Sequence, residues 1–319
     1  MKGLYVHIPF CESICHYCDF VKRVPKNNQM IDDYLQALVR EIASYEAHFD
    51  TIDTIYIGGG TPSMLSVDQL AFLFESLKPI RPVEYTIEVN PESYTKAKGD
   101  LFVRYGINRV SLGVQTFHGG LLQYLNRKHT EQMVIDTVQH LKTLNLPHIS
   151  IDLIYAIPGQ TMADLDTALN KAVALDIGHV SCYSLILEEK TAFYQQFLQH
   201  RFQPLEEDLE AEMYQHVSKT LTRHGFEHYE ISNFARPGQQ SRHNLLYWSL
   251  GEYIGTGLGA HGFIGGHRTQ NQRLFKDYVN QPLAASVKQT SADLLSDAMI
   301  FGLRKIEGVS LQMIKDVHG

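Results

Sequence analysis

The sequence predicts an α/β protein, a partial (β/α)6 TIM-like barrel with a smaller C-terminal region, and three observations carry that reading. Six short β-branched or aromatic runs alternate with helical stretches, one pair about every thirty residues, which is the length of a parallel β–α unit. Right-handed crossovers wind such units into an open sheet or a barrel. No G-x-G-x-x-G follows any of the six strand-like runs, and residues that can carry chemistry follow strand after strand, whereas a doubly wound sheet gathers them at one switch point. The alternation ends before residue 232, so a core over residues 1–232 and a second functional region over residues 233–319 are expected.

Residues 3–8 read as the first strand, stopped by Pro9. Ile31, Tyr34, Leu35, Leu38, Ile42 and Tyr45 recur at helical spacing and define an amphipathic helix. Residues 51–57 are β-rich and run into Gly58, Gly59 and Gly60; Ser66 with Gln69 then forms a capping box for a helix carrying Leu70, Leu73, Phe74 and Leu77. Residues 83–89 make the third strand, with a helix to Tyr105, and residues 107–114 the fourth, with one long helical stretch through Leu144. The fifth strand covers residues 148–155, a helix opens at Thr161 with Asp164 three residues on, and residues 180–187 form the sixth strand. Beyond Leu187 the rhythm changes. A charged helix over residues 206–224 buries Leu209, Met213, Val217 and Leu221 and is followed by a β-like run at 226–231. Glycines from Gly238 to Gly266 then mark tight turns and close backbone approach, and a last helix begins near Ser291.

Composition bounds the function. The 319 residues are 44% hydrophobic and 20% charged, as in an ordinary folded protein, and the net charge of -7 argues against a nucleic-acid partner. No run of about eighteen apolar residues offers a transmembrane segment. Met1-Lys2-Gly3 leads straight into a strand and not into a signal peptide, so a cytoplasmic protein is expected.

The first chemical signal lies just after the first strand. Cys11, Cys15 and Cys18 form a C-x3-C-x2-C run, which suits three corners of a cubic [4Fe–4S] cluster. A closed cluster takes four thiolates, so three leave one iron open to bind the amino and carboxylate groups of S-adenosylmethionine (SAM). The alternatives are weaker on the same residues. Structural zinc draws four ligands from two paired groups, and no second C-x2-C exists; the fourth cysteine, Cys182, lies far from the rest, which fits a reducing compartment.

The cysteine run resembles the radical-SAM superfamily, within it the branch of oxygen-independent coproporphyrinogen III oxidases and HemW-type heme chaperones. The resemblance continues in order through Gly58-Gly-Gly-Thr-Pro-Ser63, Glu88-Val-Asn-Pro91, Ser111-Leu-Gly-Val-Gln-Thr-Phe117, Leu125-Asn-Arg-Lys-His129, Asp152 to Thr161 and His243-Asn-Leu-Leu-Tyr-Trp248. It implies that Tyr5 and Tyr17 line the SAM region and that Gly59, Gly60 and Thr61 meet the methionine part with backbone groups of little bulk. It further implies that Glu88 accepts from an amine or ribose hydroxyl, while Gln115, Arg127 and Asp152 hydrogen-bond ribose and carboxylate. Read as plain residues, the glycines are turn formers, and Arg127 and Asp152 are rim groups of an ion pair.

His243 to Trp248 matches the H-N-x-x-Y-W block of the heme chaperones, which implies that His243 ligates heme iron beside an aromatic platform. The plain alternative is a hydrogen-bonded structural histidine. Ser241 stands where many relatives carry cysteine, His16 replaces a proline between the second and third cysteines, and Ala156 replaces a glycine. Two functions follow from the resemblance. One is a heme chaperone that passes heme to an acceptor protein of the respiratory chain; the other is the SAM-dependent oxidative decarboxylation of coproporphyrinogen. The oxidases carry a fourth cysteine two residues beyond the third, where this sequence has Phe20, so the chaperone is favoured and no oxidase activity is expected. Relatives usually continue into a small winged-helix-like module, and the sequence is expected to stop short of it.

Overall fold

The computed structural model describes residues 1–318. Its strands are β1 (Lys2–Ile8), β2 (Thr54–Gly59), β3 (Glu84–Val89), β4 (Arg109–Gln115), β5 (His148–Tyr155), β6 (His179–Ser184), β7 (Glu227–Glu230), β8 (Asn233–Ala235), β9 (Glu252–Thr256), β10 (His261–Ile264), β11 (His267–Asn271) and β12 (Leu283–Lys288). The helices are α1 (Asn28–Ala43), α2 (Val67–Leu77), α3 (Lys96–Arg104), α4 (Gly119–Tyr124), α5 (Glu131–Thr143), α6 (Met162–Ala174), α7 (Ala192–Leu198), α8 (Glu207–Arg223), α9 (Arg242–Trp248), α10 (Phe275–Asn280), α11 (Ser291–Gly302) and α12 (Leu311–His318). Among the described residues the strands form one sheet in the order β12-β11-β10-β9-β1-β2-β3-β4-β5-β6-β8-β7. β1 to β6 are parallel neighbours, and β12 and β7 end the sheet without pairing to each other, so the barrel is partial, as the alternating pattern predicts.

Alternation along each strand decides what faces where. Leu4, Val6 and Ile8 of β1, Ile55 and Ile57 of β2, and Ile149, Ile151 and Leu153 of β5 pack into a core with the apolar faces of the helices. Their neighbours point into the barrel: Tyr56, Thr86, Glu88, Ser111, Ser150, Asp152 and Ser181 line its interior. α1 shows why the outer layer holds. Asn27 caps it by accepting from the Met30 N–H at 3.0 Å, and Tyr34, Leu35, Leu38 and Ile42 are buried along one face, each worth about 1.5–3 kcal/mol relative to exposure.

The same helix ties in the later part of the chain. Glu41 accepts from the Gly257 N–H at 2.8 Å, the Tyr278 hydroxyl at 2.6 Å and Asn271 Nδ2 at 2.6 Å. β9 pairs in parallel with β1 and extends the sheet, while the expected boundary near residue 232 falls inside the β7–β8 hairpin, whose second strand pairs with β6.

The structure differs from the sequence pattern in several places: α7 and the strands β9 to β11 are not among the expected elements, and three further differences have local causes. The stretch expected as one helix through Leu144 is two, because Asn126 turns left-handed at φ 62° after α4 and Thr130 caps α5 afresh. The second strand starts at Thr54, after a 3-10 turn at Glu46–Thr51. The sixth ends at Ser184, short of Leu187.

Candidate cofactor site at the strand ends

The C-terminal ends of β1 to β6 open into a cavity of about 480 Å³ that reaches from the cysteine loop down to Ser241 and Asn244. Cys11, Cys15 and Cys18 all line it. Their loop is tied at its neck, where Cys11 N donates to Arg23 O at 3.0 Å and Arg23 N to Pro9 O at 2.7 Å. His16, in the place of the family's proline, donates from Nδ1 to the Tyr124 carbonyl at 2.8 Å and so anchors the loop on α4. Thr61 Oγ1 lies 3.5 Å from Cys11 Sγ and Arg127 Nη1 3.8 Å from Cys15 Sγ, both as donors.

This donor set fits a cluster. The three thiols share one cavity with hydrogen-bond donors beside two of the sulfurs, whereas Cys182 is buried in the hydrophobic core on the other face of β6. Among the described residues no three His, Cys, Asp or Glu side chains converge on a single-ion site, and a cubane takes each thiolate on a separate iron. Burial pushes the Cys11 thiol up to about 11, so metal ligation there must displace a proton.

The glycine block is dictated by proximity. A Cβ on Gly59, whose φ is +111°, would lie 2.4 Å from the His7 ring; one on Gly60 would lie 2.7 Å from the Phe10 carbonyl and 3.0 Å from Cys11 Sγ. With no side chains there, Gly60 N reaches Ile8 O at 2.8 Å and Thr61 N reaches Phe10 O at 2.7 Å, which seats β2 against the cysteine loop.

Two carboxyls face the cavity. Glu88 accepts from the Tyr56 hydroxyl at 2.8 Å and from Gly59 N at 3.0 Å, and burial raises it to about 7. Asp152 accepts from Ser111 Oγ at 3.0 Å; burial raises it to about 6, against hydrogen bonds from Ser181 and Ser111. Gln115 sits at a bulge in the β4–β5 register with φ 64°, a left-handed conformation that turns the chain at the cavity rim.

The break between α4 and α5 delivers Arg127. Its Nη2 donates to Gly113 O at 2.7 Å and Asn90 Oδ1 at 2.9 Å, and it pairs with Glu92 at 3.5 Å. Asn90 and Glu92 are site residues that the sequence reading missed, although the Glu88-Val-Asn-Pro block contained the first. Tyr17, Gly59, Gly60, Thr61, Glu88, Gln115, Arg127 and Asp152 therefore share one cavity with the three cysteines.

Tyr5 does not line it. Its ring stacks on Tyr56 at 6.2 Å, one layer back, and it opens instead onto a second cavity of about 430 Å³. His243 lies apart as well. Its imidazole is fully buried at the barrel floor, with Nδ1 2.8 Å from Thr54 Oγ1 and Nε2 2.8 Å from the Tyr247 hydroxyl. Both ring nitrogens are thus engaged, and burial lowers its pKa to about 3, so the plain structural role describes this ring as it stands.

The model of the Radical SAM superfamily matches residues 5–172. Over its full length the chain is 41% identical to the heme chaperone HemW of Bacillus subtilis, covering 87% of that protein. Over 99% of its length it is 40% identical to the heme chaperone HemW of Lactococcus lactis, covering 84% of it. The chain belongs to the radical SAM superfamily and, within it, to the HemW family. Among solved structures, coproporphyrinogen III oxidase (HemN) from Escherichia coli superposes with a TM-score of 0.85 over 99% of this chain and 78% of that one, at 24% identity, a likeness of fold.

Membership in this superfamily implies a [4Fe–4S] cluster and SAM. Cys11, Cys15 and Cys18 are the residues that would hold the cluster. The carboxyls of Glu88 and Asp152 and the guanidinium of Arg127 line the same cavity and would offer acceptors and a donor to a ligand with amine, hydroxyl and carboxylate groups.

Proposed function

We propose that the protein is a heme chaperone, which binds heme and passes it to an acceptor protein. The similarity over the whole chain to proteins named heme chaperone HemW carries this reading. Phe20 supports it. The ring is 67% exposed two residues beyond Cys18, at the position where the oxidases of this branch carry a further cysteine, so the loop offers no fourth thiol.

When bound, the cluster and SAM supply one-electron chemistry. The chain's own residues position the ligand: Arg127 braces the rim from α4 to β4, and the paired carboxyls receive donors in a cavity whose floor is closed by α9. An acceptor in the respiratory chain and residence in the cytoplasm belong to the same proposal; among the described residues no helix is long and apolar enough to cross a membrane. Ligation of heme through His243 belongs to it only if one ring nitrogen is freed, either by α9 leaving the barrel floor and its bond to Thr54 or by the Tyr247 hydroxyl turning away.

The test is anaerobic reconstitution followed by heme titration, transfer to an apo-form of a respiratory hemoprotein, and a parallel coproporphyrinogen assay with SAM and reductant. Heme uptake and transfer without decarboxylation is the expected result. Formation of protoporphyrinogen would overturn the chaperone reading in favour of the oxidase.

A further inference from the structure

The second cavity lies between β1, the residues just after Cys18, α9, the strands β9 to β11 and α11. It is walled by aromatic rings, chiefly Tyr5, Phe20, Tyr247, Trp248, Tyr253 and Phe301. Its volume of about 430 Å³ falls within the range of small-molecule sites, roughly 300–1,000 Å³. Such a wall suits a flat apolar ring, and the tyrosine and indole groups prefer a place that is apolar at one end and wet at the other.

Polar groups at the cavity narrow the ligand class. Two imidazoles line it. His7 is spent, with Nδ1 2.9 Å from the Tyr5 hydroxyl and Nε2 2.7 Å from the Val21 carbonyl. His261, at the start of β10, is exposed, and among the described residues nothing hydrogen-bonds its ring. Two guanidiniums line it too. Arg268 pairs with Asp297 and lies 5.8 Å from the Phe301 ring centroid, while Arg273 is exposed and, among the described residues, has neither ion pair nor hydrogen bond. The indole N–H of Trp248 is buried without an acceptor. An unengaged imidazole, an unengaged guanidinium and an aromatic wall meet the three needs of a planar iron tetrapyrrole with carboxylate side chains.

We propose that heme binds in this second cavity, with His261 as its iron ligand, Arg273 meeting a carboxylate, and Tyr247 and Trp248 packing on the ring. The proposal rests on the heme-chaperone reading and gives the His243 block a different part in it. His243 fixes the floor and holds the Tyr247 hydroxyl, so the block serves heme through its aromatic residues.

The experiment titrates the full chain with ferric heme and, separately, with metal-free protoporphyrin IX. His261→Ala is expected to weaken ferric heme about tenfold or more and to move the Soret band, with protoporphyrin binding unchanged; Arg273→Glu is expected to weaken both. Both residues are exposed, so thermal unfolding of these variants should match the wild type, while His243→Gln should lower Tm, weaken both porphyrins alike through Tyr247 and leave the Soret band of the bound heme in place. Wild-type heme binding that His261→Ala leaves untouched in affinity and spectrum overturns the site and spares the chaperone reading. A His243→Gln variant that keeps its Tm and loses the Soret shift overturns it equally. Binding of neither porphyrin by the wild type overturns both readings.

Discussion

Arg109 donates from Nε to the Glu84 carboxylate at 3.0 Å at the floor of the barrel, and each side chain is 3% exposed. The other contacts of Glu84 explain how the chain's late motif is held: it accepts from Arg242 N at 3.1 Å and His243 N at 2.9 Å, the first amides of α9. Arg109 in turn donates to the carbonyls of Gln239 and Gln240 at 3.0 Å. A buried carboxylate at a helix N-terminus satisfies amides that otherwise lack partners and is favoured by the helix dipole. Glu84→Ala leaves Arg109 charged and buried, so urea unfolding should show a loss of about 3–5 kcal/mol. A loss below about 1 kcal/mol would mean that α9 does not depend on this pair.

The pH dependence of stability should carry the mark of Glu88, raised by burial to about 7. Between its unfolded pKa and that value the folded chain keeps a proton that the unfolded chain has released, so this group makes stability fall as pH rises from about 4.5 to 7. Glu88→Gln removes the titration. Thermal melts of ligand-free wild type and variant across that interval should diverge by roughly 1–3 kcal/mol, with the wild type falling away; parallel curves refute the assignment.

Cluster assembly separates the cysteines into two groups. Cys15→Ala should cut the iron retained after anaerobic reconstitution from about four per chain to near none, because two thiolates do not hold a cubane. Cys182→Ala should retain the full iron and lose only packing, for its thiol lies 2% exposed in the core. Equal iron in the two variants would remove the cluster from the C-x3-C-x2-C loop.

A methyl group at Gly59 tests the contact between β2 and the cysteine loop. Gly59→Ala meets both a left-handed φ of +111° and the His7 ring 2.4 Å from its Cβ, so it should destabilise by more than about 1 kcal/mol and abolish the rise in Tm that SAM produces in the reconstituted wild type. An unchanged SAM-dependent rise would show that the glycine block is not part of that site.

What the sequence disclosed depended on how far each contact reaches along the chain. The strand–helix rhythm is local, and so are the cysteine spacing and the Ser66–Gln69 cap, which the structure reproduces with both reciprocal bonds. The alternation Glu84-Tyr-Thr-Ile-Glu-Val89 carries both faces of β3, polar inward and apolar outward, and was legible for the same reason. The seating of His243 was not. Its ring meets Thr54 across 189 positions and its amide meets Glu84 across 159, and no periodicity reports such a pairing. The second cavity draws Tyr5, Phe20, Trp248 and Phe301 from separate parts of the chain, so it exists only after β9 has paired with β1. The break before α5 was hidden because Asn126 and Arg127 lie inside a run that otherwise suits a helix.

Asp19 and Phe20 line both cavities, so the residues that follow the third cysteine are a party wall between two rooms. A ligand on one side that moved this wall would change the affinity on the other side, and thermodynamic linkage would make the effect equal in both directions.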